Sequence, residues 1–394
     1  MKGVTYPKGF KACGVCAGFR TRPDFALVVS DKVCNAAGVF TTNAFKAAPV
    51  LSCMEKIQKH KKAQAIVINS GTANACTGTQ GDKDVISTCE YASEFLNIHP
   101  DYILTGSTGV IGRLLDMEKM YHGVDLGIDA LSYEGGELAS RAIMTTDTVN
   151  KTYEKSLTIE GKEVRLGGMC KGAGMICPNM ATTLCFITTD AKISGELLQK
   201  ALSDNIELSF NSLTVDGDMS TNDTALCLAN GMSGAEIKEN TESYKLFNDA
   251  MCEILQSLAK QMAADGEGAT KYVEIKVKGA RNYKEAKSAA KTVANSALVK
   301  TAIFGTDPNW GRVLCAAGRS EAYVDPKKCD LWFGDVKIVE KGEPLNVSPE
   351  EARKPMLEKE LFITIDLGLG DGEATIFTCD FSYKYVEINA EYTT

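Results

Sequence analysis

The segment at residues 170–191, CKGAGMICPNMATTLCFITTDA, most constrains how this chain can fold. Its Gly-Ala-Gly triplet at 172–174 gives the backbone freedom, and Pro178 followed by asparagine is a turn signal. The apolar run at 184–187 comes directly afterwards, and it predicts a buried strand. The segment therefore predicts a sharp loop that leads into a core strand, so the chain needs a buried sheet to receive it.

Thr182 lies at the junction between this loop and the predicted strand. A hydroxyl held there, on a loop whose glycines allow close backbone approach, can serve as a nucleophile. A tight turn before a core strand explains the same residues without any chemistry. The local sequence leaves both interpretations open.

The chain has 394 residues, and a single core stops growing at roughly 250–300 residues. The composition changes near residue 280, where an Ala/Lys-rich helical stretch begins. We therefore expect two domains, residues 1–279 and residues 280–394. Strands and helices interleave without a regular βαβ count, which predicts an α/β or α+β fold with mixed sheets.

Hydrophobic periodicity predicts several further elements. The strongest helix spans 244–264, where apolar residues recur at intervals of three and four, and another covers roughly 124–144. The segments 149–164 and 361–377 are each predicted to form a hairpin. Alternation in 385–394 predicts a strand that runs almost to the last residue.

The charge of this chain argues against several classes of partner. The net charge is -8 and the pI is about 5.2, which argues against a nucleic-acid surface. No apolar run approaches the roughly 18 residues of a membrane span. The N-terminus has no apolar secretory segment, so we expect a cytoplasmic protein without a membrane partner.

Cysteine and histidine usage predicts no metal site. The fourteen cysteines are scattered among small or apolar neighbours and are expected to be free thiols. Cys13 and Cys16 form a lone CxxC without a second pair, which argues against zinc. None of the three histidines lies beside a serine or cysteine nucleophile motif, so a Ser/His/Asp triad is poorly supported.

A nucleophilic enzyme without a usable histidine needs another base. An N-terminal threonine can use its own α-amine, which titrates at about 7.7–8.0 and so suits work near neutral pH. An internal threonine gains that amine only when the preceding peptide bond is cut. The Ala181-Thr182 bond has a suitable character, with a small residue before the hydroxyl on a glycine-rich loop.

Two other polar stretches are candidates for a site. Residues 105–112, TGSTGVIG, contain three glycines and three hydroxyls, and they are compatible with a phosphate cradle, an oxyanion-type anion pocket or a plain turn. They lack the Gly-Lys-Ser/Thr ending of a P-loop. Residues 215–224 hold three aspartates but do not complete an EF-hand, so we expect a structural loop near the site.

Taken together, the longer motifs resemble the ornithine acetyltransferase family, the often bifunctional glutamate N-acetyltransferases of arginine biosynthesis. The resemblance covers essentially the whole chain. It is carried by AGVFTTN (37–43), NSGTANACTG (69–78), TGSTGVIG (105–112), IMTTDT (143–148), the segment 171–191, VDGDMSTNDT (215–224), DGEGATK (265–271), DPNWGR (307–312) and VEINAEYTT (386–394).

The resemblance implies an N-terminal-nucleophile-like catalytic domain that cleaves itself between Ala181 and Thr182. The products are an α chain, 1–181, and a β chain, 182–394, which assemble as two α and two β chains. Thr182 then carries an acetyl group from N2-acetylornithine to glutamate by a ping-pong route. The resemblance implies no cofactor, and it leaves open whether acetyl-CoA is a second donor.

The resemblance also assigns site residues, motif by motif. The oxyanion hole matches Thr108 and Gly109. The substrate-binding positions match Thr145, Lys171, Thr182, Glu267, Asn389 and Thr394. The residue types fit these roles, because a lysine can neutralise a substrate carboxylate and a glutamate can hold a side-chain ammonium.

Four positions depart from the commonest family pattern, and none of them removes an assigned role. They are Thr72, Ala173, Cys177 and Met219, where asparagine, serine, alanine and threonine are frequent.

The first alternative function is an N-terminal-nucleophile amidase or aminopeptidase, which passes the acyl group to water. A phosphate-binding protein or kinase built on 105–112 is a further alternative.

Overall fold

The computed structural model describes residues 1–177 and 183–391 of the chain. The strands of this part are β1 Phe10–Val15, β2 Phe25–Phe40, β3 Lys62–Thr72, β4 Ile103–Val110, β5 Lys151–Ile159, β6 Lys162–Lys171, β7 Leu184–Thr189, β8 Thr224–Ala229, β9 Tyr272–Ala280, β10 Asp330–Phe333, β11 Val336–Glu340, β12 Glu343–Pro344, β13 Glu360–Asp366 and β14 Gly372–Cys379. Its α-helices are α1 Ala48–His60, α2 Gly78–Leu96, α3 Met117–Asp129, α4 Gly136–Ala142, α5 Gly195–Glu207, α6 Glu242–Ala264, α7 Tyr283–Ala294, α8 Ala297–Phe304, α9 Trp310–Gly318, α10 Pro349–Arg353 and α11 Tyr383–Glu391.

The first sheet has the strand order β4-β3-β2-β8-β7-β6-β5, with β1 paired to the first half of β2. The pairs β3/β4 and β7/β8 are parallel, and the other neighbours are antiparallel. This arrangement confirms the predicted α/β class with mixed sheets.

Strand β7 explains why the central segment needed a buried sheet. Leu184 and Phe186 point into a core shared with α1 and α4, whereas Cys185 and Ile187 point into a core shared with α5 and α6. Successive side chains alternate between the two faces of a strand, so a fully apolar run fits only a strand covered on both sides. The predicted strand at 184–187 is therefore confirmed, as is the helix at 244–264, which is α6.

The second sheet has the order β12-β11-β10-β13-β9-β14 and packs its apolar face against α7, α8 and α9. Its strand β9 ends at Ala280, so this sheet begins just before the domain border predicted between residues 279 and 280. That border stays a prediction. Residues 361–377 do not form the predicted hairpin, because β9 lies between β13 and β14 and pairs with both.

The predicted helix at 124–144 is wrong in extent, since α3 and α4 are separate helices. The chain between them runs against β1, where Ser132 and Ala12 exchange backbone hydrogen bonds of 2.9 and 3.0 Å. A Cβ atom at Gly135 would lie 1.8 Å from the Ala12 carbonyl oxygen. Between α3 and α4 the chain therefore packs closely against β1 instead of continuing as one helix.

Two further segments differ from expectation. Most of 105–112 lies in β4 rather than in a loop, because β3 supplies a parallel partner along it. The predicted C-terminal strand is wrong, since residues 383–391 form α11. That helix is fixed at its start by Tyr385, whose ring stacks on Phe381 at 4.6 Å.

In the described residues, no helix combines the length and apolar character needed to cross a membrane. All fourteen cysteines are free, as expected.

Candidate active site

A pocket of about 820 Å³, its open mouth included, lies where β4 and β6 end and β7 and β8 begin. Its wall consists of Ala73, Thr108, Gly109, Ile111, Thr145, Thr146, Lys171, Gly172, Gly174, Met175, Ile176, Thr183, Leu184, Ser220, Thr221, Asn222, Asp223, Glu267 and Asn389. The first sheet thus supplies the strand ends of the pocket, and the rest comes from loops beside those strands and from Asn389 of α11.

Six of the residues predicted from the sequence meet in this pocket. They are Thr108, Gly109, Thr145, Lys171, Glu267 and Asn389. The predicted residues Ala181, Thr182 and Thr394 lie outside the described part of the chain. Thr183, which follows Thr182 in the sequence, lines the pocket.

The β4 wall of the pocket requires glycine at one point. Gly109 has φ +129°, and a Cβ atom there would lie 2.3 Å from the backbone carbon of Gly71 on β3. Only glycine adopts this backbone geometry without strain at so close an approach. The sequence TGSTGVIG thus brings the Thr108-Gly109 backbone to the pocket surface.

Lys171 ends β6 and is 9% exposed. Its Nζ donates a hydrogen bond of 3.2 Å to Thr108 Oγ1. Burial lowers the pKa of the Lys171 ammonium, although the nearby carboxylate of Asp147 acts in the opposite direction. Within the described residues, no carboxylate oxygen lies within 4.0 Å of Lys171 Nζ. Lys171 therefore presents a buried cation to the pocket.

Hydrogen bonds of its backbone N–H and carbonyl oxygen hold Thr145 at the pocket. Its N–H donates to Asp147 Oδ2 at 2.9 Å, and its carbonyl oxygen accepts from Arg22 at 2.6 Å and from Arg20 at 3.2 Å. Both peptide groups of this residue are thereby fixed, so the IMTTDT motif forms a rigid corner of the site.

Glu267 and Asn389 come from distant parts of the chain and meet at 2.8 Å, where Asn389 Nδ2 donates to Glu267 Oε2. The Glu267 N–H also donates to the Ala173 carbonyl oxygen at 2.8 Å. A Cβ atom at Gly174 would lie 2.3 Å from the Glu267 carboxylate, so glycine lets the carboxylate rest against the loop. The pocket thus holds a carboxylate as well as a cation.

Sequence reasoning missed Thr183 and Asp223 as pocket residues. The Thr183 N–H donates to Asp223 Oδ1 at 2.8 Å, and Thr183 has φ +132°, a strained conformation for a β-branched residue. Thr183 Oγ1 and Asp223 Oδ2 are buried, and no described residue is a hydrogen-bond partner of either oxygen. Burial raises the pKa of Asp223 well above its ordinary value. Residue type alone could not reveal this, because an aspartate in a polar loop is ordinarily solvated.

The loop at 215–224 supports the site as expected. Asp216 accepts backbone hydrogen bonds from Met175 at 2.6 Å and from Ile176 at 2.9 Å. Asn222 Nδ2 donates to the carbonyl oxygens of Ala73 and Ser107, at 2.6 and 2.8 Å. The part of the chain that the structure describes contains no group of three or more His, Cys, Asp or Glu side chains arranged to hold a metal ion.

This arrangement suits a small zwitterionic ligand. A buried ammonium and a carboxylate in one pocket can bind the carboxylate and the ammonium of an amino acid. The Thr108-Gly109 backbone and hydroxyl can stabilise negative charge that develops on a carbonyl oxygen.

Comparison with known proteins gives one consistent result. The sequence model of the ArgJ family matches residues 11–394. The "Arginine biosynthesis bifunctional protein ArgJ" of Symbiobacterium thermophilum is 47% identical over 100% of this chain and 98% of its own length. The protein of the same name from Caldanaerobacter subterraneus is also 47% identical, over 99% of this chain and 98% of its own length.

A solved structure is also similar. The crystal structure of the arginine biosynthesis bifunctional protein of Bacillus halodurans is 41% identical to the matched part, with a TM-score of 0.52. The match covers 52% of this chain and 98% of the solved chain.

Proposed function

Because this chain belongs to the ArgJ family, we propose that it transfers an acetyl group from N2-acetylornithine to glutamate, with Thr182 as the nucleophile. Membership makes the chain an enzyme of arginine biosynthesis, as its motifs predicted. The oxyanion role of Thr108 and Gly109 and the substrate-binding roles of the other predicted residues are part of this proposal.

One observation carries the proposal. Lys171, Glu267 and the Thr108-Gly109 pair line a single pocket, and Thr183, the neighbour of Thr182 in sequence, lines it too. N-acetylornithine carries a carboxylate, a side-chain ammonium and an amide carbonyl. The pocket offers one group of suitable chemistry for each of them.

The first half-reaction moves the acetyl group to the enzyme. The Thr182 hydroxyl attacks the amide carbon and gives its proton to the α-amine that cleavage has freed, while Thr108 and Gly109 stabilise the oxyanion. The C–N bond breaks, the α-amine returns the proton to the departing nitrogen, and ornithine leaves with its amine restored.

The second half-reaction reverses these steps with another amine. The neutral amine of glutamate attacks the acetyl ester on Thr182, a C–N bond forms and the ester C–O bond breaks. The Thr182 oxygen recovers a proton, and N-acetylglutamate leaves. Lys171 meets a carboxylate of the amino acid in both halves, which fits two substrates that share one site.

Self-cleavage between Ala181 and Thr182 is part of the proposal, because only the cut supplies the α-amine. It is supported by the solved relative, whose matched chain is nearly covered by about half of this chain. We also propose that the two pieces assemble as two α and two β chains, that no cofactor is used and that the enzyme is cytoplasmic.

The cleavage test uses the purified full chain. We expect two bands on a denaturing gel, and N-terminal sequencing of the β chain should begin Thr-Thr-Leu-Cys. Thr182→Ala should give one uncut band, whereas the control Thr182→Ser keeps a hydroxyl and should still be cut. Two bands from Thr182→Ala would contradict the proposal.

The activity test is a donor panel. N-acetylornithine and acetyl-CoA are each supplied with glutamate, and N-acetylglutamate is measured. Formation of N-acetylglutamate from N-acetylornithine is expected, and formation from acetyl-CoA would add the second donor. Release of acetate at the same rate with and without glutamate would instead identify an amidase.

A further inference from the structure

A buried lysine behind the pocket is held between two carboxylates. Lys151, the first residue of β5, is fully buried, and its Nζ lies 2.6 Å from Asp147 Oδ1 and 2.5 Å from Asp265 Oδ2. It also donates to the Val149 carbonyl oxygen at 3.3 Å. None of these four residues lines the pocket, so the mechanism above leaves this cluster without a role.

Asp147 is the member of this cluster nearest the site. Its Oδ1 accepts from Lys151 and from the Gly172 N–H at 2.6 Å, and its Oδ2 accepts from the Thr145 N–H at 2.9 Å. Both carboxylate oxygens are therefore engaged by donors other than Lys171. Asp147 nevertheless sits near enough to Lys171 for each to shift the pKa of the other.

Lys171 is thus a buried lysine beside a carboxylate that does not pair with it. A buried ammonium strongly favours pairing, since its charge has lost the solvation of water. Asp147 is the natural partner by position. Asp147 is instead engaged by Lys151 and by the Gly172 and Thr145 N–H groups, and Lys151 is the charged member of these three donors.

We propose that Lys151 is a positioning residue that holds Asp147 away from Lys171, so that the Lys171 ammonium stays available for the carboxylate of the amino-acid substrate. The inference rests on the proposed function, in which Lys171 meets that carboxylate. Asp265 completes the cluster, because its negative charge offsets the second positive charge and it anchors Lys151 from the other side.

Removing the Lys151 charge should therefore change specificity rather than only stability. In Lys151→Met, Asp147 keeps the backbone hydrogen bonds from Gly172 and Thr145 but loses its cation, so its negative charge acts on Lys171 and competes with the substrate carboxylate. Ligands that carry this carboxylate should bind more weakly, whereas ligands without it should be little affected.

The test compares ornithine with ornithine amide, which lacks the carboxylate, by calorimetry on the cleaved enzyme. Wild type should prefer ornithine, and Lys151→Met should reduce that preference by about tenfold. Lys151→Met/Asp147→Asn should restore it, because no competing carboxylate remains next to Lys171. A merely structural role for Lys151 predicts additive losses and no rescue in the double variant.

The inference is overturned if Lys151→Met keeps the wild-type preference within about twofold, or if the double variant does not regain it. If Lys151→Met does not fold, Asp147→Asn alone decides. The inference expects it to retain the preference for ornithine, and a tenfold loss would mean that Asp147 orders Lys171 directly. Failure of the proposed function is separate, since wild type would then make no N-acetylglutamate from N-acetylornithine.

Discussion

The two sides of the pocket are built in opposite ways. The side formed by the sheet carries Gly109 and Thr183 at φ +129° and +132°, together with the buried groups of Lys171 and Asp223. The opposite side is α11, which has no buried residue and reaches the pocket through Asn389. Strain and buried charge are thus concentrated where the reacting groups are proposed to act, as is common at functional sites.

This difference shows which side of the pocket must hold its groups in a fixed geometry. Strained backbone and unpartnered buried oxygens persist only if surrounding structure holds them, and the sheet with its two cores provides that support. An exposed helix can position a binding contact, but it cannot hold such costly groups. We therefore expect changes on the sheet side to affect chemistry and stability, and changes on the helix side to affect binding alone.

The largest effect is expected for Gly109→Ala. The new Cβ would lie 2.3 Å from the Gly71 backbone carbon, so β4 has to shift. The Gly109 N–H would then no longer point at the oxyanion. Loss of one oxyanion-hole donor lowers kcat by about 100- to 1,000-fold. Steady-state acetyl transfer by the cleaved protein measures this.

The matched control is Gly112→Ala, two residues beyond β4. Gly112 also has a positive φ, +79°, but a Cβ atom added there would have no neighbouring atom within 4 Å. This variant should cost about 1–2 kcal/mol of stability, because alanine is strained at a positive φ, and should retain most of the activity. Equal losses in the two variants would show that backbone strain alone, and not the position of Gly109 in the site, causes the effect.

A smaller effect, on stability, is expected for Asp223→Asn. Asp223 has a raised pKa in the folded state, so its contribution to stability is fully present below the unfolded pKa of about 4 and is lost as the pH rises. The neutral amide avoids that loss and can still accept the Thr183 N–H. The variant should be more stable than wild type at pH 7.

Urea unfolding at several pH values checks this, and the gain should disappear near pH 4. Asp218→Asn, an exposed aspartate in the same loop, serves as the control and should change little. A gain that is equal at pH 4 and pH 7 would contradict a raised pKa of the Asp223 carboxyl group.

The same contrast between the two sides explains what the sequence could and could not predict. The apolar spacing within α6 and the unbroken apolar run of β7 are local signals, and both elements were predicted. The motif resemblance identified Lys171 and Glu267, whose positions in the pocket depend on residues far away in sequence. Such long-range contacts produce no periodic pattern in the sequence.

The failures have the same cause. Helix α11 was predicted as a strand because alternation over a few residues fits both periods when no packing partner is known. Strands β13 and β14 looked like a hairpin because the insertion of β9 between them is a long-range pairing. Burial of Asp223 is equally a product of tertiary structure, so its residue type gave no warning.

The smallest effect is expected on the helix side, for Asn389→Ala. The change removes the 2.8 Å hydrogen bond to Glu267 Oε2, while Glu267 keeps its backbone bond to Ala173. A single hydrogen bond to a charged group contributes about 1.5–3 kcal/mol at most, and an exposed helix gives less, so KM should rise about three- to tenfold with kcat nearly unchanged. Glu387→Ala, exposed on the same helix, is the control and should leave both constants alone. A fall in kcat as large as that of Gly109→Ala would mean that α11 takes part in the chemistry, and the contrast between the two sides would not hold.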